Sequence, residues 1–380
     1  MPAFRKHSVL EITRGVKAFF TLAAGITRGE VPDPVTLQNR LQVQTQKLVQ
    51  AQRRVEKLRQ QMESLQRSAP VSTEQTVSPE RTASADTSAG INPQNMVWIL
   101  GSPRTGSTWL SEILADPKGY ALWREPFFGV VLNFRDNLAH RGYINSKQFL
   151  LGESYRDVWV GSMRRLFLDV GRAKFPNIAP RHHLIIKEPN GSMSAPLILE
   201  AFPESKLVFL VRDSRDVVAS LLDAAQEGSW YGYDKFEASV AEAVRRGGGP
   251  ASPLDRSDDE LAGQLARNYV TNVSAVKEAY ARHPEGAKVM IRYEDLRAAP
   301  QDCVSYICDS LGIEVDSEQL KQAVERRAFE RIPQEHRGQG KFHRKATPGG
   351  WREDLTPEQV RVVEEITGPL LREFYPDSLH

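Results

Sequence analysis

Cysteine is nearly absent from this 380-residue chain: Cys303 and Cys308 are the only two. Two cannot build a disulfide scaffold, and no CxxC pair or Cys/His cluster suggests zinc. Five residues apart on an expected helix, they point in different directions, so a reducing compartment is the plain expectation. Long apolar runs are missing as well. The longest, Ala18 to Ile26, is far below the ~20 residues needed to span a bilayer, which argues against an integral membrane bundle. An excess of one charge is also lacking, since 50 Lys/Arg face 48 Asp/Glu for a net +2. That balance hides an asymmetry. Residues 1–68 carry 12 Lys/Arg against 5 Asp/Glu, a net +7, and the remainder carries 38 against 43, a net −5. An acidic body with a basic front is not the composition of a nucleic-acid-binding domain. If the body binds an anion, it does so with a few placed residues. What is present is ordinary: 40% hydrophobic and 26% charged residues, with a mean hydropathy of −0.44, exclude a wholly disordered chain.

Four regions follow from composition and spacing. Residues 1–35 form an amphipathic N-terminal segment. Within 8–26, Val9, Ile12, Val16, Phe19, Phe20, Ala23 and Ile26 fall at helical spacing. Packing against protein or peripheral contact with a membrane surface would both use such a face. Residues 36–67 carry a heptad: Leu41, Leu48, Val55 and Met62 at one core position, Leu37, Gln44, Ala51, Leu58 and Leu65 at the other. Four heptads without Gly or Pro predict a coiled-coil stalk about 45 Å long that self-associates. Residues 68–93 are Ser/Thr/Ala/Pro-rich with three Val/Ile residues, too few for a core, and read as a disordered linker. From 94 to 380, short apolar runs alternate with helical stretches. Runs 96–100, 183–187, 206–211 and 288–293 read as strands buried on both faces. Helices are expected around 107–115, 154–170, 193–202, 214–224, 258–282 and 300–311. The expected fold class is α/β, a P-loop-type central parallel sheet flanked by helices and preceded by the coiled coil.

The segment Gly101-Ser-Pro-Arg-Thr-Gly106-Ser-Thr108 lies between the first strand and the first helix of this body. Glycines five apart let the backbone wrap an anion, and the helix start aims its amides at it. A nucleotide triphosphatase would carry Lys where Ser107 stands. The positive charge sits instead at Arg104, so an ATP-dependent kinase-like enzyme is the weaker alternative.

PRTGSTWL (103–110) resembles the 5′-phosphosulfate loop of sulfotransferases that use 3′-phosphoadenosine 5′-phosphosulfate (PAPS). The resemblance implies that Arg104, Thr105, Gly106, Ser107 and Thr108 hold the 5′-phosphate, with Arg104 also near the transferred sulfuryl group. LVFLVRDSRDVVASLLDA (207–224) resembles the family's 3′-phosphate segment, which implies that Arg212 and Ser220 bind that phosphate. An Arg at a strand's carboxyl end and a hydroxyl two turns into the next helix suit the task. Pairing of Arg212 with Asp213 or Asp216 is the structural alternative. A third stretch, Arg344-Lys-Ala-Thr-Pro-Gly-Gly-Trp351-Arg352, resembles the family's RKGxxGDWK loop, with Ala346 and Gly350 replacing Gly and Asp. It implies that Arg344 and Lys345 also hold the donor.

Sulfuryl transfer to a hydroxyl needs a base beside the acceptor. The cytosolic branch of the family uses a His in a KTH segment; here the segment is Lys187-Glu188-Pro189. His182 and His183 precede it and are expected at the surface. The carbohydrate and tyrosylprotein branches carry a glutamate after the loop helix, and Trp123-Arg124-Glu125-Pro126 stands 17 residues beyond Thr108. Glu125 is therefore the expected catalytic base, with Glu188 in reserve, and Lys187 the group that stabilises charge on the leaving oxygen. The YEDL segment (293–296) reads as structural. The expected activity is PAPS-dependent sulfuryl transfer to an acceptor hydroxyl, with PAPS as donor, no metal and no nucleic-acid partner. A non-catalytic coiled-coil scaffold with a relic loop is the third possibility. The expected location is cytoplasmic, with 8–26 the candidate for membrane contact. Segment 226–257, rich in aromatics and glycine, is a candidate acceptor wall.

Overall fold

All four apolar runs form strands, and a fifth strand that their pattern did not predict joins them. The computed structural model describes residues 90–139, 147–226, 229–230 and 257–378. The chain divides into two units, Met1–Ser84 and Ala85–His380. The expected segment 1–35, the stalk 36–67 and nearly all of the linker 68–93 lie outside the described residues, as does most of 226–257. Ile91, assigned to the linker by composition, is buried in the core beside Gly171, so folded structure begins ahead of Asn95.

The strands are β1 (Met96–Gly101), β2 (Ala121–Arg124), β3 (Leu184–Lys187), β4 (Lys206–Val211) and β5 (Lys288–Arg292). They pair in parallel in the order β2-β3-β1-β4-β5. Strand β2 was illegible because its burial is partial, falling from buried Trp123 to exposed Arg124, as an edge strand's does. The helices are α1 (Ser107–Leu114), α2 (Phe128–Ala139), α3 (Arg156–Lys174), α4 (Ala195–Ala201), α5 (Ser214–Ala225) and α6 (Asp258–Arg282). After β5 come α7 (Tyr293–Ala298), α8 (Pro300–Ser310), α9 (Ser317–Arg326), α10 (Trp351–Asp354) and α11 (Pro357–Phe374). YEDL follows β5 and opens α7, so Tyr293, the last residue of the run 288–293, starts the helix.

Strand β1 is buried along its whole length, yet its side chains sort by period two. Met96, Trp98 and Leu100 enter one apolar layer with α3, α4, α6 and α11; Val97 and Ile99 enter the other with α1, α8 and α9. Trp98 is fully buried among Phe128, Phe167 and Phe202, with centroids 5.2–6.3 Å away. Helix ends are set locally. Ser257 and Glu260 form a capping box at the start of α6, and Thr356 and Gln359 form one at the start of α11, behind which Pro357 occupies the first turn. Contrary to the surface expectation, His183 is buried, its ring tilted against that of Tyr120 with centroids 5.0 Å apart. Burial pushes its imidazole down to about 4. Among the described residues no helix is long and apolar enough to cross a membrane.

Candidate functional site

In open parallel sheets, ligands settle where loops leave the strands' carboxyl ends beside the point of strand-order reversal. Here that point is β1, between β3 and β4, and a cleft of about 1550 Å³ opens there. Its lining includes Arg104, Gly106, Ser107, Thr108, Glu125, Lys187, Arg212, Ser220, Arg344 and Lys345. Thr105 is fully buried instead, its Oγ1 donating to the Ser102 carbonyl at 2.9 Å, so its side chain braces the loop from behind.

The loop after β1 is shaped by two glycines. A Cβ on Gly101 would meet the Leu210 carbonyl oxygen at 2.1 Å, and one on Gly106 the Tyr293 ring at 2.6 Å. Gly106 has φ 83° and precedes α1 without any side-chain cap, leaving the first-turn amides for another acceptor.

Register brings the second group together. Arg124 pairs with Lys187 across β2 and β3, and the Glu125 amide donates to the Lys187 carbonyl at 2.8 Å. Lys187 Nζ then lies 2.5 Å from Glu125 Oε1 and 3.4 Å from Thr108 Oγ1. Glu125 Oε2 is buried with no hydrogen-bond partner. The turn is strained, with Glu125 at φ 49° and Phe127 at φ 57°, a feature concentrated at functional sites. Glu188, the reserve base, is fully buried and is absent from the cleft wall. Burial and then the Glu125 charge push its carboxyl up to about 8, against the pull of the Phe127, Phe128 and Gly129 amides.

The third group sits between β4 and α5. Arg212 donates through Nη1 to the Arg104 carbonyl at 2.9 Å and lies 4.3 Å over the Tyr293 ring. Its own carbonyl accepts from Tyr269 at 2.8 Å. Asp216 is 3.9 Å from Arg212, while Asp213 caps α5 and pairs with Arg215. Ser220 Oγ accepts from Arg104 Nε at 2.9 Å. Arg104 therefore stands with Arg212 and Ser220 in this structure, and its hydrogen bonds do not run to Glu125 or Lys187.

Sequence offered Asp216 only as a partner for Arg212 and did not single out Asp223, although both share a side of α5 with Ser220 at i, i+4 and i+7 spacing. Asp216 accepts from the amides of Gly349 (2.7 Å) and Trp351 (2.9 Å), and Asp223 from that of Gly340 (3.0 Å). These carboxylates fasten the 340–351 segment over the cleft. Burial raises the Asp216 pKa, and Arg212 and the two amides oppose the rise. Arg344 pairs with Asp354 at 2.7 Å and approaches Asp223 at 3.6 Å; Lys345 turns outward to Glu353 and Asp354. Ala346, standing where the resembling loop has Gly, has φ 52°. YEDL does hold structure: Glu294 accepts from the Asp213 amide and from Tyr375, and Asp295 pairs with Arg292. Its Tyr293, however, also walls the cleft. Among the described residues no group of His, Cys, Asp and Glu could hold a metal ion.

No curated protein matches the chain. Among solved structures, mouse sulfotransferase SULT7A1 complexed with PAP is 14% identical, covering 73% of this chain and 85% of its own, with a TM-score of 0.44. Sulfotransferase STF9 from Mycobacterium avium is 13% identical, covering 74% of this chain and 77% of its own, at 0.45. Retinol dehydratase in complex with androsterone and inactive cofactor PAP is 18% identical over 74% and 81%, at 0.39. A family profile matches residues 97–317, which span β1 through the opening of α9 and include the loop after β1, Glu125, Lys187, Arg212 and Ser220. This chain belongs to the sulfotransferase family.

Proposed function

We propose that the protein transfers the sulfuryl group of PAPS to an acceptor hydroxyl. The observation that carries the reading is one cleft with an anion-binding loop, a Glu125–Lys187 pair at one end and Arg212 with Ser220 at the other. The residues fit a bisphosphorylated donor. Arg212 Nε is buried without a hydrogen-bond partner, and the α1 amides are uncapped. The backbone from Thr105 to Thr108 and the Ser107 and Thr108 hydroxyls hold the 5′-phosphate; Arg212 and Ser220 hold the 3′-phosphate, joined by Arg344 and, on leaving Glu353 and Asp354, Lys345.

Glu125 accepts the acceptor's proton as its oxygen bonds to sulfur and the sulfur–oxygen bond to the 5′-phosphate breaks. Lys187, already bridging Glu125 and Thr108, stabilises the negative charge that builds on the departing phosphate oxygen. The chemistry is otherwise positioning, with water kept from the transferring group.

Thermal shift with adenosine 3′,5′-bisphosphate (PAP) against ATP–Mg²⁺ tests the donor. Stabilisation by PAP alone is expected, and stabilisation by ATP–Mg²⁺ alone would make the protein a nucleotide-dependent kinase-like enzyme. A mass-spectrometric screen of sulfated products from PAPS then identifies the acceptor. Beyond the catalytic unit, the heptad in 36–67 supports self-association, and the amphipathic 8–26 supports peripheral membrane contact of a cytoplasmic protein.

A further inference from the structure

Lys187 and Glu188 are consecutive, and they take hold of opposite ends of one turn. Lys187 lines the cleft, where its Nζ meets Glu125 Oε1. Glu188 is fully buried and absent from the cleft wall, and its carboxyl lies against the start of α2. Between these two grips runs Glu125-Pro126-Phe127, with φ 49° at the glutamate and 57° at the phenylalanine. Neither residue is glycine, so such a backbone persists only where its surroundings fix it.

Glu188 is itself firmly mounted. Its amide donates to the Ile99 carbonyl at 3.2 Å, and its carbonyl accepts from the Gly191 amide at 3.1 Å and from Ser192 Oγ at 3.2 Å. Ser192 Oγ in turn accepts from the Gly101 amide at 3.0 Å, so the mount is the end of β1. Backbone walls in the side chain. A Cβ on Gly191 would meet Glu188 Oε1 at 2.3 Å, and one on Gly129 would meet the Gly191 carbonyl oxygen at 2.1 Å. Neither Glu188 oxygen has a hydrogen-bond partner of full geometry; the donors that pull on the carboxyl are the Phe127, Phe128 and Gly129 amides. Burial, and then the Glu125 charge, push it up to about 8, so at pH 7 it is mainly un-ionised. In that form it offers the amides a carbonyl oxygen and adds no second negative charge to compete for Lys187.

Resting on the reading of Glu125 as the base, we propose that Glu188 is a positioning residue: its carboxyl receives the amides that open α2 and so holds the strained turn that presents Glu125 to Lys187. The lysine grips the turn from the cleft, the glutamate from beneath.

Trace acetylation of Lys187 in the full chain, read by mass spectrometry, tests this without donor or acceptor. An ammonium held by a carboxylate acylates slowly, because only the free amine reacts. Glu125→Gln, which removes the partner charge, sets the fast limit. Glu188→Ala should raise the Lys187 rate toward that limit, roughly fivefold or more, as the turn relaxes and Glu125 withdraws. Glu188→Gln, which keeps a neutral carbonyl of the same shape, should stay within about twofold of the wild type. Lys288, buried and ion-paired on edge strand β5, should not change in either variant. If Glu188→Ala does not fold, Glu188→Asp, one methylene shorter, carries the same comparison. An unchanged Lys187 rate in the shortened variant, or a glutamine variant equally fast, overturns the proposal. So does a parallel rise at Lys288, which marks general loosening, or a Glu125→Gln rate no faster than the wild type, which means that the pair does not form. The donor reading stands or falls separately, on the comparison of PAP with ATP–Mg²⁺.

Discussion

Lys187 is shared between Glu125, 2.5 Å away, and Thr108, 3.4 Å away, and so joins the edge of the sheet to the loop after its central strand. The arrangement follows from parallel register: Glu125 is the residue after the one paired with Lys187. A lysine in this position touches both the carboxylate after β2 and the hydroxyl that opens α1.

Replacing Glu125 by Gln keeps shape and hydrogen bonding but removes the proton acceptor. Turnover should fall roughly 10²–10⁴-fold with PAP affinity nearly unchanged, as steady-state rates and calorimetry would read. Near-wild-type turnover, together with collapse in Glu188→Gln, would move the base to Glu188.

Glu188 has its folded pKa raised to about 8 from an ordinary 4.5, chiefly by burial. The unfolded chain gives up the proton first, so this group's contribution is complete below about pH 4.5 and is lost as pH rises through 8. Melting temperatures of wild type minus Glu188→Gln should therefore decline from pH 5 to 8.5. A flat difference would show that the carboxyl titrates normally.

Ala346 sits at φ 52° with its carbonyl accepting from Arg297 at 3.2 Å. Left-handed backbone strains alanine and not glycine, while glycine adds freedom to the unfolded chain. The net expectation is that Ala346→Gly stabilises by about 0.5–1 kcal/mol in denaturant titration. Destabilisation would mean that the loop adopts another conformation in solution.

Sedimentation addresses the heptad in 36–67. The full chain should be a dimer or trimer, and a chain beginning at Gly90 a monomer. The same state for both would place self-association elsewhere.

Much of this was readable beforehand because the signals were local. The strands on either side of β1 are apolar apart from one terminal lysine each, since both faces of a central parallel strand are covered, and the glycine loop needs only consecutive residues. Strand β2 was not legible, because an edge strand four residues long with half-buried side chains has no distinctive period. Glu125 was singled out all the same, from the resemblance and its distance to the loop, and it lines the cleft beside Lys187. The direction of the Arg104 side chain was beyond reach, for it depends on Ser220 and Phe342, 116 and 238 residues away. The Asp216 fastening was equally hidden: its partners are backbone amides, which every sequence possesses.

The position of β2 at the rim of the sheet has an evolutionary consequence. The residues assigned to the donor hang from β1, β3, β4 and the segment fastened to α5, whereas Glu125, the proposed base, and the exposed Phe127 and Val130 beside it follow the edge strand β2. An interior strand cannot change without disturbing neighbours on two sides, but a rim strand has one. Descendants of this chain can therefore exchange what they sulfate by drift along that margin while inheriting the donor grip intact.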